Sequence, residues 1–432
     1  MAISARRIQR AQTQAATYQG TSIGSLGYHL DDTLFGGIGS GSWANTPMPA
    51  NTTIHPQSAA GVQWVCDHIY GVGSPPKPPF WPNINLWPTI NTSVFTATVN
   101  VVEYGQYPPV PVYIEPIIGT HRTDANKFRS AAMMYSGVQI PPGFQPTDDS
   151  DGQGIFYYPN YVYAGDPTNV DYHGLYVEFW GLMSPAQNAA RSYFGPNGEH
   201  PEGAWTAKLM GRMVGVNNRL TAHPVDRTDN VAIAGSYAIK APNDTSANAG
   251  YAGWGYAGRA EAKGYIASAS SLPGSQYIIT MRDVQRMQIT HPMGFALPGG
   301  WTGADADARG VPANQRGWAP PVWPAMASDG ASVGVLPQGS RLRLPANFPR
   351  NQYPSGLPVA WRGWYDMFID AWINYGIIHV DTTGANFGFR GEPGLQALYP
   401  AGFSGKTFIE LLPFPDLQMI AVGNDNDFYP GA

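Results

Sequence analysis

Cysteine is almost missing. Cys66 stands alone among 432 residues, so no intramolecular disulfide can staple the chain and the fold must hold by burial. Charge is scarce too: Asp, Glu, Lys and Arg make up 13% of the chain, about half of the roughly 25% usual in soluble domains. Hydrophobic residues keep an ordinary share of 43%, enough to build a core, which excludes a disordered polymer. The formal net charge of −5 leaves no basic field for a phosphate backbone, so nucleic acid is excluded as an expected partner. No apolar run is long enough for a membrane-crossing helix. Arg6, Arg7 and Arg10 are not followed by an apolar stretch, so no secretory signal is expected. The chain also lacks HExxH, GxSxG and a glycine loop ending in Lys-Ser/Thr. Its nine histidines have no metal-ligand spacing, and neither a metal nor a cofactor is expected.

Glycine, proline and aromatic residues fill the space. With 51 Gly and 40 Pro the chain cannot be a helical bundle, because each of these residues punctuates helices. Residues 2–18 are rich in Ala, Arg and Gln and read as an N-terminal helical arm, on which Arg6, Arg7 and Arg10 are either assembly contacts or a solvated face. Residues 74–90 hold six prolines and read as an extended linker. Residues 93–104 alternate like a half-buried strand, residues 110–118 read as an edge strand because of their proline, and residues 124–134 read as a short helix. Beyond residue 150, short strands at 156–163, 174–181 and 204–211 alternate with Gly/Pro turns. One late helix is expected over 360–374, closed by Gly376, then a β-hairpin over 377–390. The fold class is therefore mainly β, a sandwich or jelly roll over 150–392, with segments 1–73, 74–149 and 393–432 around it.

Within the strand at 174–181, Tyr176, Glu178 and Trp180 share one face. Two rings beside a carboxylate suit a sugar: the rings stack on its C–H face and the acid takes its hydroxyls. The same arrangement suits glycoside cleavage if a second carboxylate stands ~5–9.5 Å away, and Asp329 and Asp381 are the candidates. A solvated strand face or a structural hydrogen bond is the plainer reading of Glu178. His291 reads either as a buried histidine bonded to backbone or as a general base, and His379 is read the same way. Trp254 and Trp323, on Gly/Pro-rich segments, are further candidates for a glycan-stacking surface, as are the rings of 157–163. Cys66 reads as a small buried hydrophobe.

Four segments carry a resemblance: Glu178-Phe-Trp180; Ile289-Thr-His291-Pro292; Trp323-Pro-Ala325 with Asp329-Gly330, followed by Leu336-Pro-Gln-Gly339-Ser-Arg341-Leu-Arg-Leu344; and Tyr375-Gly376 through Asp381. In this order they resemble a group of mostly secreted actinobacterial β-sandwich proteins of unassigned function, over residues 150–392. Pro292-Met293 departs from the Ala-Leu of that group, and residues 299–321 look inserted. The resemblance and the arm together imply a structural and adhesive protein of a phage tail, virion surface or other extracellular assembly. Such a protein would be a homo-oligomer, or bound to other virion proteins, and would engage cell-surface polysaccharide. A polysaccharide-cleaving enzyme, either a glycoside hydrolase or a polysaccharide lyase, is the second expectation, and a purely architectural virion protein the third.

Overall fold

The computed structural model describes residues 47–70, 89–92, 99–114, 134–146, 152–162, 168, 174–189, 204–207, 209–214, 277–298, 336, 338–383 and 387–421. The arm with Arg6, Arg7 and Arg10, the 124–133 part of the expected helix, Asp329, Trp254 and Trp323 lie outside them. The described residues form three sheets with few helices. No described helix is long and apolar enough to cross a membrane.

The six-stranded sheet runs β1-β12-β9-β11-β10-β13. Its strands are β1 (Thr89–Asn91), β9 (Met293–Pro298), β10 (Arg341–Arg343), β11 (Ile377–Thr383), β12 (Gly388–Arg390) and β13 (Gln418–Met419). Strand β1 comes from the segment expected as linker, and β13 from the C-terminal segment. The hairpin expected over 377–390 is not formed. β9 lies between β11 and β12, parallel to the first and antiparallel to the second. The seven-residue β11 pairs through six of its residues with a strand about 80 positions upstream, a pairing no local pattern encodes.

Helix α1 (Ser58–Tyr70) packs on β13 and the 3-10 turn Phe414–Asp416. The late helix, α4 (Arg362–Asn374), buries Trp364, Phe368, Ala371 and Trp372, the face its helical spacing predicts. Trp372 and Phe414 meet at 4.8 Å between ring centroids. Gly376, at φ +75, ends the helix where an added Cβ would fall 2.3 Å from the Leu342 carbonyl oxygen, so only glycine fits.

The four-stranded sheet runs β2-β5-β6-β8, with β2 (Val99–Val101), β5 (Gly154–Tyr158), β6 (Leu175–Trp180) and β8 (Leu209–Val214). The three-stranded sheet runs β4-β3-β7, with β3 (Val110–Ile114), β4 (Met134–Val138) and β7 (Trp205–Ala207), and the short helix α2 (Pro185–Ala189) packs on β7. Here β3 is central, not the edge strand that Pro111 suggests. Its register with β4 shifts between Val110 and Val112, so Pro111 sits in an irregularity where its missing N–H is tolerated. Val112 and Ala207 share a core cluster with Phe156, Val177 and Phe179 of the four-stranded sheet.

Candidate functional site

Strand β6 is an interior strand, in register with β5 and β8 over its length. Leu175, Val177 and Phe179 are fully buried on one face. On the other face Tyr176 is 0% exposed and Glu178 5%, and the Tyr176 hydroxyl donates to Glu178 Oε2 at 2.9 Å. The expected solvent-facing stripe is thereby corrected. A strand covered on both faces can carry polar residues inside when they satisfy each other, because the cost of burial falls on unpaired groups. Trp180 closes the strand as its last residue. Of the tyrosines expected as exposed rings on 157–163, Tyr157, Tyr158 and Tyr161 are likewise buried.

Asp381 lies in the six-stranded sheet, a different sheet from Glu178. A β-bulge between His379 and Asp381 re-aims the strand there, and Asp381 forms an ion pair with Arg390 of β12. Arg390 Nη1 also lies 3.5 Å from the Tyr277 hydroxyl, and its guanidinium stands 5.9 Å from the centre of that ring. Asp381 is therefore held by a cation, in a sheet other than that of Glu178. His379, 1% exposed, sets Nδ1 at 3.0 Å from the Leu336 carbonyl and Nε2 at 3.1 Å from the Asp381 carbonyl. Its ring stacks on Phe295 at 5.3 Å. This histidine lashes β11 to the segment before β10.

A group of buried titratable side chains gathers around α3 (Met281–Arg286). Thr280 caps the helix and Asp283 returns the bond, a capping box. Asp283 Oδ2 accepts from the Thr280 backbone N–H and hydroxyl, each at 2.7 Å. The same oxygen lies 3.1 Å from His291 Nε2, while His291 Nδ1 lies 2.9 Å from the Pro292 carbonyl. Both ring nitrogens thus face acceptors, a setting that the doubly protonated imidazolium satisfies. Burial opposes that charge. The Asp283 carboxylate, by charge and hydrogen bond, and the Pro292 carbonyl outweigh it and hold the His291 pKa above its ordinary value. Glu392 completes the group, accepting from the Met281 N–H at 2.8 Å. Burial pushes its pKa up to about 7; the Met281 bond resists, and the Asp283 charge adds to the rise.

His291, Asp283 and Glu392 are each no more than 5% exposed. Their bonds fix the start of α3 and the exit of β12, and a substrate has no open approach to them. His291 follows the expectation of a buried, backbone-bonded histidine, with a carboxylate in addition. Asp283 and Glu392 were missed by sequence reasoning. The spacing Thr280-x-x-Asp283 was the readable sign of the first; nothing local marks the second, 109 residues further along. Among the described residues no three His, Cys, Asp or Glu side chains are placed to hold a metal ion. Cys66 is half-buried on α1, its thiol pushed up to about 11 by burial and then by Asp67 and Asp416; it is a poor nucleophile. Comparison with protein-family models, curated proteins and solved structures yields no match.

Proposed function

We propose that the chain is a non-catalytic, architectural protein, a subunit of a virion or other extracellular assembly, with a sandwich-like β domain as its body. One observation carries the reading: Glu178, the carboxylate best suited by its strand to bind or cleave a sugar, is buried and bonded to Tyr176. The other candidates point the same way. Asp381 is neutralised by Arg390, and His291 and His379 are spent on internal bonds. Polar side chains committed to the interior favour a chain whose work is to hold shape. The setting is supported by the low charge, by the arginine-bearing arm and by the resemblance of residues 150–392.

The test has two parts. Full-length protein in the ultracentrifuge is expected to sediment as a homo-oligomer, and the Arg6→Ala/Arg7→Ala/Arg10→Ala variant at a lower mass. Incubation with bacterial cell-wall polysaccharide is expected to release no reducing ends above the blank. Sugar release that disappears in Glu178→Gln would overturn the proposal in favour of a polysaccharide-cleaving enzyme, and a monomer at all concentrations would remove the assembly.

A further inference from the structure

Among the described residues the large apolar side chains left exposed are Ile54, Tyr104, Val162, Met287 and Val359, and Tyr104 is the aromatic one. It sits in a tight turn in which the Gln106 N–H donates to the Glu103 carbonyl at 3.0 Å. Gly105, third in that turn, has φ +95, as a type II turn requires. Nothing lies within 4 Å of where a Gly105 Cβ would be, so the corner is open to solvent.

The ring is fixed from below. Tyr104 meets Tyr161 edge-on at 4.8 Å and Tyr158 at 5.8 Å between centroids, yet the residue remains 38% exposed. Its backbone is clamped by one amide: Asn160 Oδ1 accepts from the Tyr104 N–H at 2.5 Å, and Asn160 Nδ2 donates to the Tyr104 carbonyl at 3.2 Å. Gln139 Oε1 accepts from the Gly105 N–H at 2.6 Å, and the Tyr158 hydroxyl donates to the Gln139 carbonyl at 3.2 Å. An exposed loop residue held by this many bonds is preorganised, which lowers the entropy cost of binding.

We propose that this turn is a carbohydrate-binding platform, on which a pyranose ring of a neutral polysaccharide stacks against Tyr104 while Glu103 and Gln106 take its hydroxyls. Glu103 and Gln106 are both exposed beside the ring. Among the described residues, those that share the turn or bond to it, Glu103, Gly105, Gln106, Gln139 and Asn160, include no cation, so they suit a neutral ligand rather than a phosphorylated or carboxylated one. A single ring framed by small and polar residues also falls short of the ~800 Å² per partner of a stable protein interface. The platform lies outside β6 and does not depend on Glu178.

Calorimetric titration of the full chain with hexasaccharides of β-1,4-glucose, β-1,4-N-acetylglucosamine and α-1,6-mannose at millimolar concentration tests it. At least one is expected to bind. Tyr104→Ala is expected to weaken that binding about tenfold or more, and Tyr104→Trp, with a larger ring in the same place, to keep or tighten it. Asn160→Ala, which frees the turn without removing the ring, is expected to weaken binding less than Tyr104→Ala. Failure of all three sugars to bind overturns the platform, as does unchanged affinity in a Tyr104→Ala protein of unaltered circular dichroism. If Tyr104→Ala disturbs the fold, Gln106→Ala decides: it is expected to weaken binding, and unchanged affinity in it is again fatal to the platform. None of these results bears on the oligomer mass or on sugar release, so the architectural proposal stands or falls separately.

Discussion

Glu392 shows how one buried carboxyl can set the pH response of its surroundings. Its folded pKa of about 7 lies above its ordinary 4.5, so between these values the folded chain holds a proton that the unfolded chain has lost. Stability from this group is therefore complete below pH 4.5, declines as pH rises towards 7 and is level above it. At about 1.4 kcal/mol per unit the decline is on the order of 3 kcal/mol. His291 acts in the same sense: its pKa is raised, so its contribution is present below 6.5 and is lost as pH rises through the folded value. The Asp283 charge bears on both groups. Urea unfolding at pH 5 and pH 8 is expected to show the wild type less stable at pH 8. Glu392→Gln keeps an acceptor for the Met281 N–H and has no proton to lose, so it should stay close to the wild type at pH 5, exceed it at pH 8 and keep only the slope that His291 contributes. Equal slopes in the two proteins would mean that Glu392 is ionised when folded.

The end of α4 explains why the Arg341-Leu342-Arg343 strand is spelled with two buried cations. The last carbonyls of a helix lack intrahelical donors and carry negative dipole charge. Arg343 Nη2 donates to the Ile373 carbonyl at 2.8 Å and Nη1 to the Pro49 carbonyl at 2.6 Å, while Arg341 Nε donates to the Tyr375 carbonyl at 2.7 Å. Burial and the Arg343 charge lower the Arg341 pKa to about 9. Arg343→Met should cost about 2–4 kcal/mol in chemical unfolding, because buried acceptors lose charged donors. Arg343 Nε also donates to the Leu344 carbonyl at 3.1 Å, so Arg343→Lys should destabilise too, since one ammonium cannot span the Pro49, Leu344 and Ile373 carbonyls that the fork reaches; an unchanged lysine variant would reduce the role to charge alone. The same comparison shows what local pattern can and cannot reveal. Trp364, Phe368 and Trp372 recur at helical spacing, so α4 was legible, and so was the existence of β6. The direction of the Tyr176–Glu178 face was not, because alternation cannot tell a half-exposed strand from an interior one whose polar residues bond each other. Pro111 misplaced β3 for a related reason: a bulge in the middle of a sheet admits proline as readily as an edge does.

Among the described residues two cores emerge from these elements. One gathers Val65, Phe295, Trp372, Phe389 and Phe414 around the six-stranded sheet; the other gathers Val112, Phe156, Val177, Phe179 and Ala207 between the two smaller sheets. The principal packing among the described elements stays within each set: α1 with β13, α4 with β10 and α3 with the turn at 395–398 on one side, β3 with β7 and β5 with β6 on the other. Composition sets 1–73, 74–149 and 393–432 apart from 150–392, and burial draws α1, β1 and β13, one from each of these three segments, into the first core. Separate cores should unfold as separate transitions, for which a single all-or-none free energy is not defined. Phe414 is fully buried between Trp372 and Phe387, with centroids at 4.8 and 5.1 Å, and Phe156 packs against Phe144 and Phe179 at 4.9 and 6.2 Å. Each phenylalanine cut to alanine should cost about 3–5 kcal/mol in its own core. Scanning calorimetry should therefore show Phe414→Ala lowering one transition and Phe156→Ala the other. Hydrogen exchange should quicken in α4, β9 and β11 for the first variant and in β5 and β6 for the second. If either substitution lowers both transitions together and quickens exchange in both sets of strands, the cores are one cooperative unit.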